Sequence, residues 1–276
     1  MNDGSAKPMA PNGAHRGRRA GGWHALLGLL LALTAWGLPH GAVQAMEARS
    51  AAELVAMVDA LWRGDSSHAR MTMTVRTRRY QRSMSLEAWS QGKDRSLIRI
   101  LAPKKDSGIS TLKVERNIWN FLPKINRVTK VPPSMMMGAW MGSHFTNDDL
   151  VRESSFEDDY ESAITFSGAR DGMEIYEVTS TPRPDAPVVW GKVVNIIAKK
   201  TLLPVKAVYF DEDGVVARTL TFDDVRRFGA REVPSRLVLV PTDKPEESTE
   251  IVYEALELNV PVPEGTFSLQ ALQSRR

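Results

Sequence analysis

Most of the chain alternates between apolar and polar residues, which is the pattern of a half-buried β-strand. The alternation is clearest where Ala69, Met71, Met73 and Val75 are separated by arginine and threonine. Because side chains along a strand point to opposite faces in turn, such a run has one apolar face. Similar runs cover 83–88, 95–101, 109–115, 117–122, 125–131, 161–167, 173–180, 188–198, 204–210, 215–224, 234–241 and 248–258.

Turn sequences separate these runs, for example Gln91-Gly92, Asp171-Gly172 and Gly229. Many short strands joined by hairpin turns, without helices between them, favour an antiparallel sheet. A sheet of roughly eleven strands must curl or split. We therefore predict a mainly β fold with short helices, in which a curved antiparallel sheet forms a barrel or half-barrel.

Two short helices are predicted in addition to the strands, one before them and one between them. Over 49–62, apolar residues recur at helical spacing, and Ser50 with Glu53 forms a capping-box sequence. A second helix is predicted over 146–151. It lies in a break over 132–157 that begins with two prolines, which cannot continue a strand. No internal repeat or linker divides the chain, so we expect one domain after the leader.

The segment after the two prolines is rich in methionine. Methionine is unbranched and polarizable, and it adapts to varied apolar partners. Because prolines and Gly142 bound the segment, it is too short for a core helix. We interpret it as a deformable flap that lines or covers a binding site, with packing as ordinary core as the alternative. Its apolar side chains are Met135, Met136, Met137, Trp140, Met141 and Phe145.

The apolar faces of the first strands have two interpretations. They fill the interior of a packed sandwich, or they line a cavity for an apolar ligand if the barrel is half open. Alternation alone does not distinguish a filled barrel from a hollow one. The candidate lining residues on strands are Met71, Met73, Val75, Met84, Leu86, Ile98, Ile100, Leu112, Val114, Trp119 and Phe121.

Composition and charge exclude several functions. The 276 residues include no cysteine, which rules out disulfides, thiolate zinc sites, a cysteine nucleophile and cysteine-linked lipid anchors. The net charge of +3 comes entirely from residues 1–45, which hold four basic side chains and one carboxylate. The rest of the chain is neutral and has no bulk attraction for nucleic acid. We therefore expect no nucleic-acid partner.

Residues 1–45 have the features of a secretory signal peptide. Three arginines precede the apolar run Ala25–Leu38, and Val43-Gln44-Ala45 puts small residues where a signal peptidase cleaves. As a helix the run would be about 21 Å long, shorter than the roughly 30 Å of a bilayer core, so a membrane anchor is the weaker alternative. We expect cleavage near Ala45 and a single periplasmic domain over 46–276.

No motif for catalysis is present, whether a nucleophile elbow, a zinc-protease motif, a P-loop or a dinucleotide fingerprint. His144, Asp148 and Asp149 are candidate metal ligands, since histidine and carboxylates bind metal ions. Carboxylates at the start of a helix, however, more often cap that helix. The paired carboxylates at 158–159 and 223–224 flank strands, where solvated charge is common. We expect no enzymatic activity, no metal and no cofactor.

A run of basic residues follows the first strand. Arg76, Arg78 and Arg79 lie at the turn of a predicted hairpin. Charge of this kind usually protects the edge of a sheet against pairing with another chain. The alternative is that these arginines contact lipid head groups or an acidic partner. We keep them as candidate partner-contact residues.

Several stretches resemble the outer-membrane lipoprotein-sorting protein family, which includes the periplasmic lipoprotein carrier LolA. The most specific one is Gly142-Ser143-His144-Phe145-Thr146-Asn147-Asp148-Asp149-Leu150. The others are Leu61-Trp62-Arg63-Gly64, Met71-Thr72-Met73, Leu101-Ala102-Pro103-Lys104, Asn117-Ile118-Trp119-Asn120-Phe121-Leu122-Pro123-Lys124 and Arg127-Val128. The resemblance covers roughly residues 49–272.

The resemblance implies a LolA-like fold, in which helical lid segments close the open side of a half-open barrel. It further implies a soluble periplasmic carrier that binds acyl chains of lipoproteins or lipids and takes part in their sorting to the outer membrane. Expected partners are an inner-membrane transporter and an outer-membrane acceptor, and a shuttle of this kind is expected to be a monomer. The alternative is a periplasmic accessory module of an inner-membrane transporter that carries no lipid of its own.

Overall fold

The structure is a computed structural model that describes residues 49–152, 156–186 and 188–274; the predicted signal peptide lies outside them. Thirteen strands form one antiparallel sheet. The strands are β1 Ser66–Arg76, β2 Gln81–Gln91, β3 Arg95–Ala102, β4 Ser110–Val114, β5 Asn117–Leu122, β6 Arg127–Lys130, β7 Tyr160–Arg170, β8 Met173–Pro182, β9 Lys192–Ala198, β10 Pro204–Phe210, β11 Val216–Phe228, β12 Arg231–Pro241 and β13 Ser248–Leu258.

The order of strands shows that the sheet is not closed. It runs β6-β5-β4-β3-β2-β1-β13-β12-β11-β10-β9-β8-β7, so each half of the chain is a meander and the halves join where β1 pairs with β13. The edge strands β6 and β7 follow one another in the chain but lie at opposite edges. The predicted mainly β fold with a curved, unclosed antiparallel sheet is confirmed.

The connection from β6 to β7 has to cross one face of this sheet. We call residues 131–159 the crossing segment and the face beneath it the inner face. The described part of the segment contains 3-10 turns at Pro133–Met135 and Trp140–Gly142, the helix α2 over Asn147–Arg152 and the helix α3 over Phe156–Asp159. The methionine-rich sequence therefore lies in a connection that the strand order forces across the sheet.

The helix α1 covers Ala51–Asp59 and also packs on the inner face. The predicted capping box is confirmed, since the Glu53 amide donates to Ser50 Oγ and the Ser50 amide donates to the Glu53 carboxylate. The buried side chains of α1 contact Val178 and Ile197 at the far end of the sheet. At the other end of the helix, the Arg231 guanidinium donates to the carbonyl of Ala60 at 2.9 Å, which satisfies a carbonyl that the helix leaves free.

The C-terminal end of the chain covers the opposite, outer face of the sheet at β3 to β5. The helix α4 over Leu269–Gln273 places Leu272 against Leu97, Leu112 and Phe121. The Arg99 guanidinium ties the two together by donating to the carbonyl of Ala271 at 2.7 Å. Both faces of β4 and of the middle of β3 are therefore buried or half-buried. Within the part of the chain that the structure describes, no helix has the length and apolar character needed to cross a membrane.

Candidate functional site

A cavity of about 300 Å³ lies on the inner face, beneath α1 and the crossing segment. That volume is at the lower end of the roughly 300–1,000 Å³ typical of small-molecule sites. Much of its wall is aromatic and aliphatic. Trp62, which follows α1, stacks on Phe222 with ring centroids 5.7 Å apart and on Tyr253 at 6.3 Å. The Trp62 indole N–H donates to the carbonyl of Pro234 at 3.1 Å, which fixes the orientation of the ring.

Trp140 anchors the crossing segment over the first strands. Its side chain is 4% exposed, and its indole N–H donates to Thr111 Oγ1 of β4 at 3.1 Å. Its backbone amide donates to the carbonyl of Phe145 at 2.8 Å, which closes a tight loop. Both side chains line the cavity. The segment is therefore held by directed hydrogen bonds as well as by apolar packing.

A buried ion pair anchors the same segment over the second half of the sheet. Arg218 of β11 donates two hydrogen bonds to the Asp149 carboxylate of α2, at 2.8 and 2.5 Å. The guanidinium carbon lies 4.3 Å from the ring centroids of both Trp190 and Tyr209, which meet edge to face. Burial lowers the pKa of Arg218, but the Asp149 carboxylate, together with Tyr209 and Asp148, outweighs that effect and leaves the pKa above its ordinary value. Asp149 also caps its helix by accepting from the amide of Thr146.

His144 forms a third attachment at the edge of the segment. Its backbone amide and Nδ1 lie 2.9 and 2.8 Å from Thr249 Oγ1, and its Nε2 lies 3.1 Å from the Glu247 carboxylate. His144 and Asp149 therefore have separate structural partners. Among the described residues, no group of three or more histidine and carboxylate side chains is arranged to hold a metal ion.

The structure brings together only part of the predicted lining set. Met71, Ile98, Trp140 and Phe145 line the cavity. A second group fills the interior beside the cavity toward the β1–β2 turn, where Met141 packs on it from above. This buried group consists of Met73, Val75, Met84, Leu86 and Ile100. The half-barrel is therefore filled by side chains near the β1–β2 turn and hollow at the cavity.

The remaining candidates lie elsewhere. Met135 and Met137 are 59% and 49% exposed, and Met136 is half-buried. Four strand residues lie on the outer face with α4, where they contribute to a second cluster: Leu112, Val114, Trp119 and Phe121. Alternation shows which residues share a face, but it does not show which face is the inner one.

Sequence reasoning missed the half of the wall that comes from α1 and the C-terminal strands. These residues include Val55, Val58, Trp62, Val193, Asn195, Ala207, Tyr209, Arg218, Leu220, Phe222, Leu237, Ile251 and Tyr253, and Phe156 of α3 also lines the cavity. A signal was available at Arg218, which falls on the same alternation phase as Leu220 and Phe222. An arginine on the apolar phase of a strand indicates a buried and paired charge.

The candidate partner-contact arginines lie at the β1–β2 hairpin, at the filled end of the sheet. Arg76 donates to Gln81 Oε1 at 3.3 Å, and Arg78 pairs with Glu246 in the neighbouring turn between β12 and β13. Arg79 is exposed at the tip. A larger and more open depression of about 520 Å³ lies on the outer face around residues 262–267, and Arg95 lines both this depression and the cavity.

A family model described as an uncharacterized protein matches residues 92–274 of the chain. No curated protein matches it. The chain is similar in structure to a DUF1329 family protein from Desulfovibrio piger, with a TM-score of 0.74 and 21% sequence identity, over 81% of this chain and 98% of the other.

Two further solved structures share the fold. One is a putative outer membrane lipoprotein-sorting protein domain from Vibrio parahaemolyticus, with a TM-score of 0.70, 21% identity and coverage of 81% and 98%. The other is a LolA superfamily protein from Nitrosomonas europaea, with a TM-score of 0.68, 18% identity and coverage of 81% and 100%. The chain therefore belongs to the family of uncharacterized proteins that the matching model describes, and its fold is that of the LolA-like lipoprotein-sorting proteins, as the sequence resemblance implied.

Proposed function

We propose that the chain is a periplasmic carrier that binds acyl chains of lipoproteins or lipids and takes part in their sorting to the outer membrane. The observation that carries this proposal is the apolar cavity between the inner face and the crossing segment. The names of two structurally similar proteins, for outer membrane lipoprotein sorting and for the LolA superfamily, support it. The predicted signal peptide supplies the route to the periplasm.

The chemistry of the wall suits this task. Exposing a lipid anchor to water costs about 0.8 kcal/mol of free energy per CH₂ group. A carrier must therefore shield these CH₂ groups from water. Most of the wall consists of aliphatic side chains and the rings of Trp62, Phe222 and Tyr253, which can make dispersion contacts with an acyl chain. Such contacts have little directional preference, so binding is tolerant and reversible. Carriage of this kind needs no nucleophile, metal or cofactor, and we propose that the protein is not an enzyme.

A cavity-filling substitution tests the proposal. Ala88 of β2 lines the cavity, so Ala88→Trp places a large ring where an acyl chain would lie. Ala163 of β7 is exposed on the edge strand, so Ala163→Trp is the matched control. Each full-length variant is exported, purified from the periplasm without detergent and extracted with organic solvent. We expect the Ala88→Trp protein to retain several-fold less lipid than the wild type and the control to retain the wild-type amount.

The thermal midpoint of each variant shows whether it is folded. Equal lipid content in folded Ala88→Trp and wild-type protein would contradict binding in this cavity. Because Ala88 is only half-buried beside empty volume, the added ring has room that a packed core would not give it.

The exposed basic hairpin favours a second candidate, an accessory module of an inner-membrane transporter without its own lipid cargo. Its test is a pull-down from solubilised inner membranes with the wild type and with Arg76, Arg78 and Arg79 all changed to Glu. Recovery of a transporter subunit by the wild type alone, together with absence of retained lipid, would favour this candidate. Reversal of Lys104 and Lys105, which lie on another loop, is the control for nonspecific charge effects.

A further inference from the structure

Three connections between strands lie side by side at one end of the sheet. Antiparallel pairing from β1 to β6 puts the β1–β2 turn, the β3–β4 loop and the β5–β6 turn at the same end. The Arg82 guanidinium pairs with Asp106 at 3.1 Å, which joins the β1–β2 hairpin to the β3–β4 loop. A Cβ added to Gly108 would lie 3.4 Å from Cγ of Pro123, so this loop also passes close to the β5–β6 turn. We call residues 76–82, 101–109 and 122–127 the basic end.

The basic end concentrates positive charge, although the chain after residue 45 is neutral overall. It has eight basic side chains, and its one carboxylate is Asp106. Arg82 pairs with Asp106, and Arg78 pairs with Glu246. Within the part of the chain that the structure describes, the other six basic side chains are exposed and have no carboxylate partner: Arg76, Arg79, Lys104, Lys105, Lys124 and Arg127. Other carboxylates at this end of the sheet belong to the β10–β11 and β12–β13 turns.

The same three connections expose large apolar side chains among these cations. A single exposed apolar residue is normal on a protein surface. Here, however, each one lies within three positions of an unpaired cation along the chain, so the surface is amphipathic. The side chains are Tyr80, Leu101, Leu122 and Ile125, which are 51%, 37%, 41% and 63% exposed.

We propose that the basic end binds the surface of a membrane that contains anionic phospholipids. Cations attracted to anionic head groups, together with apolar side chains at the acyl boundary, are the interactions that hold proteins at a bilayer interface. A protein partner fits less well, because protein interfaces are depleted of lysine and centre on an apolar core. At the basic end, three lysines lie among the apolar side chains.

Membrane binding at this surface goes beyond the proposed carriage of lipid. The basic end lies near the β1–β2 turn, where buried side chains fill the half-barrel, and none of the six unpaired cations lines the cavity. Binding to a membrane surface therefore does not depend on whether the cavity holds an acyl chain.

Flotation of the exported full chain with lipid vesicles tests the proposal. The vesicles contain phosphatidylcholine alone or an equimolar mixture of phosphatidylcholine and phosphatidylglycerol. We expect the protein to float with the anionic vesicles only, and to be released as the salt concentration rises, because salt screens the attraction. Each cation near an anionic surface contributes about fivefold to binding. A triple variant should therefore bind at least about tenfold more weakly when Gln replaces Lys104, Lys105 and Lys124.

A matched variant removes the same charge at the opposite end of the sheet, where Gln replaces Lys200, Arg226 and Arg227. It should bind as tightly as the wild type. The apolar contact has its own probe, because the chain contains no cysteine and one introduced thiol takes one environment-sensitive fluorophore. We expect the emission of labelled Ile125→Cys to shift to the blue on anionic vesicles. Labelled Ala163→Cys, on the exposed edge strand β7, should show no shift.

The outcomes separate this inference from the carrier function. Failure to float with anionic vesicles, or equal losses in the two triple variants, would overturn binding through the basic end and leave the carrier function standing. Ala88→Trp, which fills the cavity, should float like the wild type. Its failure to float would show that the protein holds vesicles through its cavity, and would also overturn the assignment. Vesicle binding without a fluorescence shift at position 125 would overturn the apolar contact.

Discussion

The ion pair between Arg218 and Asp149 connects the crossing segment to the sheet, and its disruption has a large expected effect. Asp149→Asn keeps the size of the side chain and an oxygen that accepts from the amide of Thr146. The change leaves the Arg218 guanidinium against the rings of Trp190 and Tyr209 without its carboxylate partner. The cavity wall would then contain an unpaired buried cation.

The burial of the pair sets the magnitude. Arg218 and Asp149 side chains are 5% and 14% exposed, so solvent does not screen the pair as it screens surface ion pairs. Removing one partner from a buried pair costs about 3–5 kcal/mol, because the other charge stays desolvated. Domains of this size are stable by about 5–15 kcal/mol, so the variant should lose a large part of its stability.

Urea denaturation at neutral pH, followed by circular dichroism, measures the effect. Wild type, Asp149→Asn, Arg218→Met and the double variant form a double-mutant cycle, with Asp158→Asn, exposed on α3, as the control. We expect the double variant to lose less than the sum of the single losses, since the second substitution removes the orphaned charge. A loss of under about 0.5 kcal/mol for Asp149→Asn, or strict additivity, would show that the buried ion pair does not stabilise the fold.

Three further predictions concern stability. The pKa of Glu247 is lowered, mainly because its carboxylate bonds to His144. The ionised carboxylate therefore stabilises the fold at pH values above its ordinary pKa of 4.5. This stabilisation is lost as the pH falls through the lower pKa of the folded state. Below about pH 5, the free energy of unfolding of Glu247→Gln should therefore fall less steeply with pH than that of the wild type. Parallel curves of unfolding free energy against pH for the two proteins would contradict this. Ser50→Ala should cost about 1 kcal/mol in urea denaturation by removing the α1 cap, whereas Ser50→Asp should restore it. Leu272→Ala should cost about 2–5 kcal/mol, because Leu272 is fully buried under the outer face, and a change within error would show that α4 is not docked.

Much of the fold was predictable because strand alternation and helix capping are local properties. Met71 and Met73 share a face whatever the rest of the chain does, and Ser50 caps α1 through a residue only three positions away. The crossing segment was recognisable from its prolines and methionines. That it spans the sheet follows only from the position of β6 and β7 at opposite edges.

The inner face could not be assigned from local pattern where both faces of a strand are buried. In β4, Leu112 and Val114 share the apolar phase, yet the cavity lies on the side of Thr111 and Lys113. The cause is α4, which covers the outer face of β4 from more than a hundred residues away in the chain. An apolar residue there packs under the helix, and the polar phase faces the cavity.

The central claim is that the exported protein holds lipid in the cavity of its inner face. Native mass spectrometry of the full chain, purified from the periplasm without detergent, tests it most directly when combined with analysis of an organic extract. We expect one stoichiometric lipid or acylated species that is released on denaturation. An apo mass that stays unchanged after incubation with membranes would contradict it, and would turn the crossing segment and the basic hairpin into candidates for protein docking.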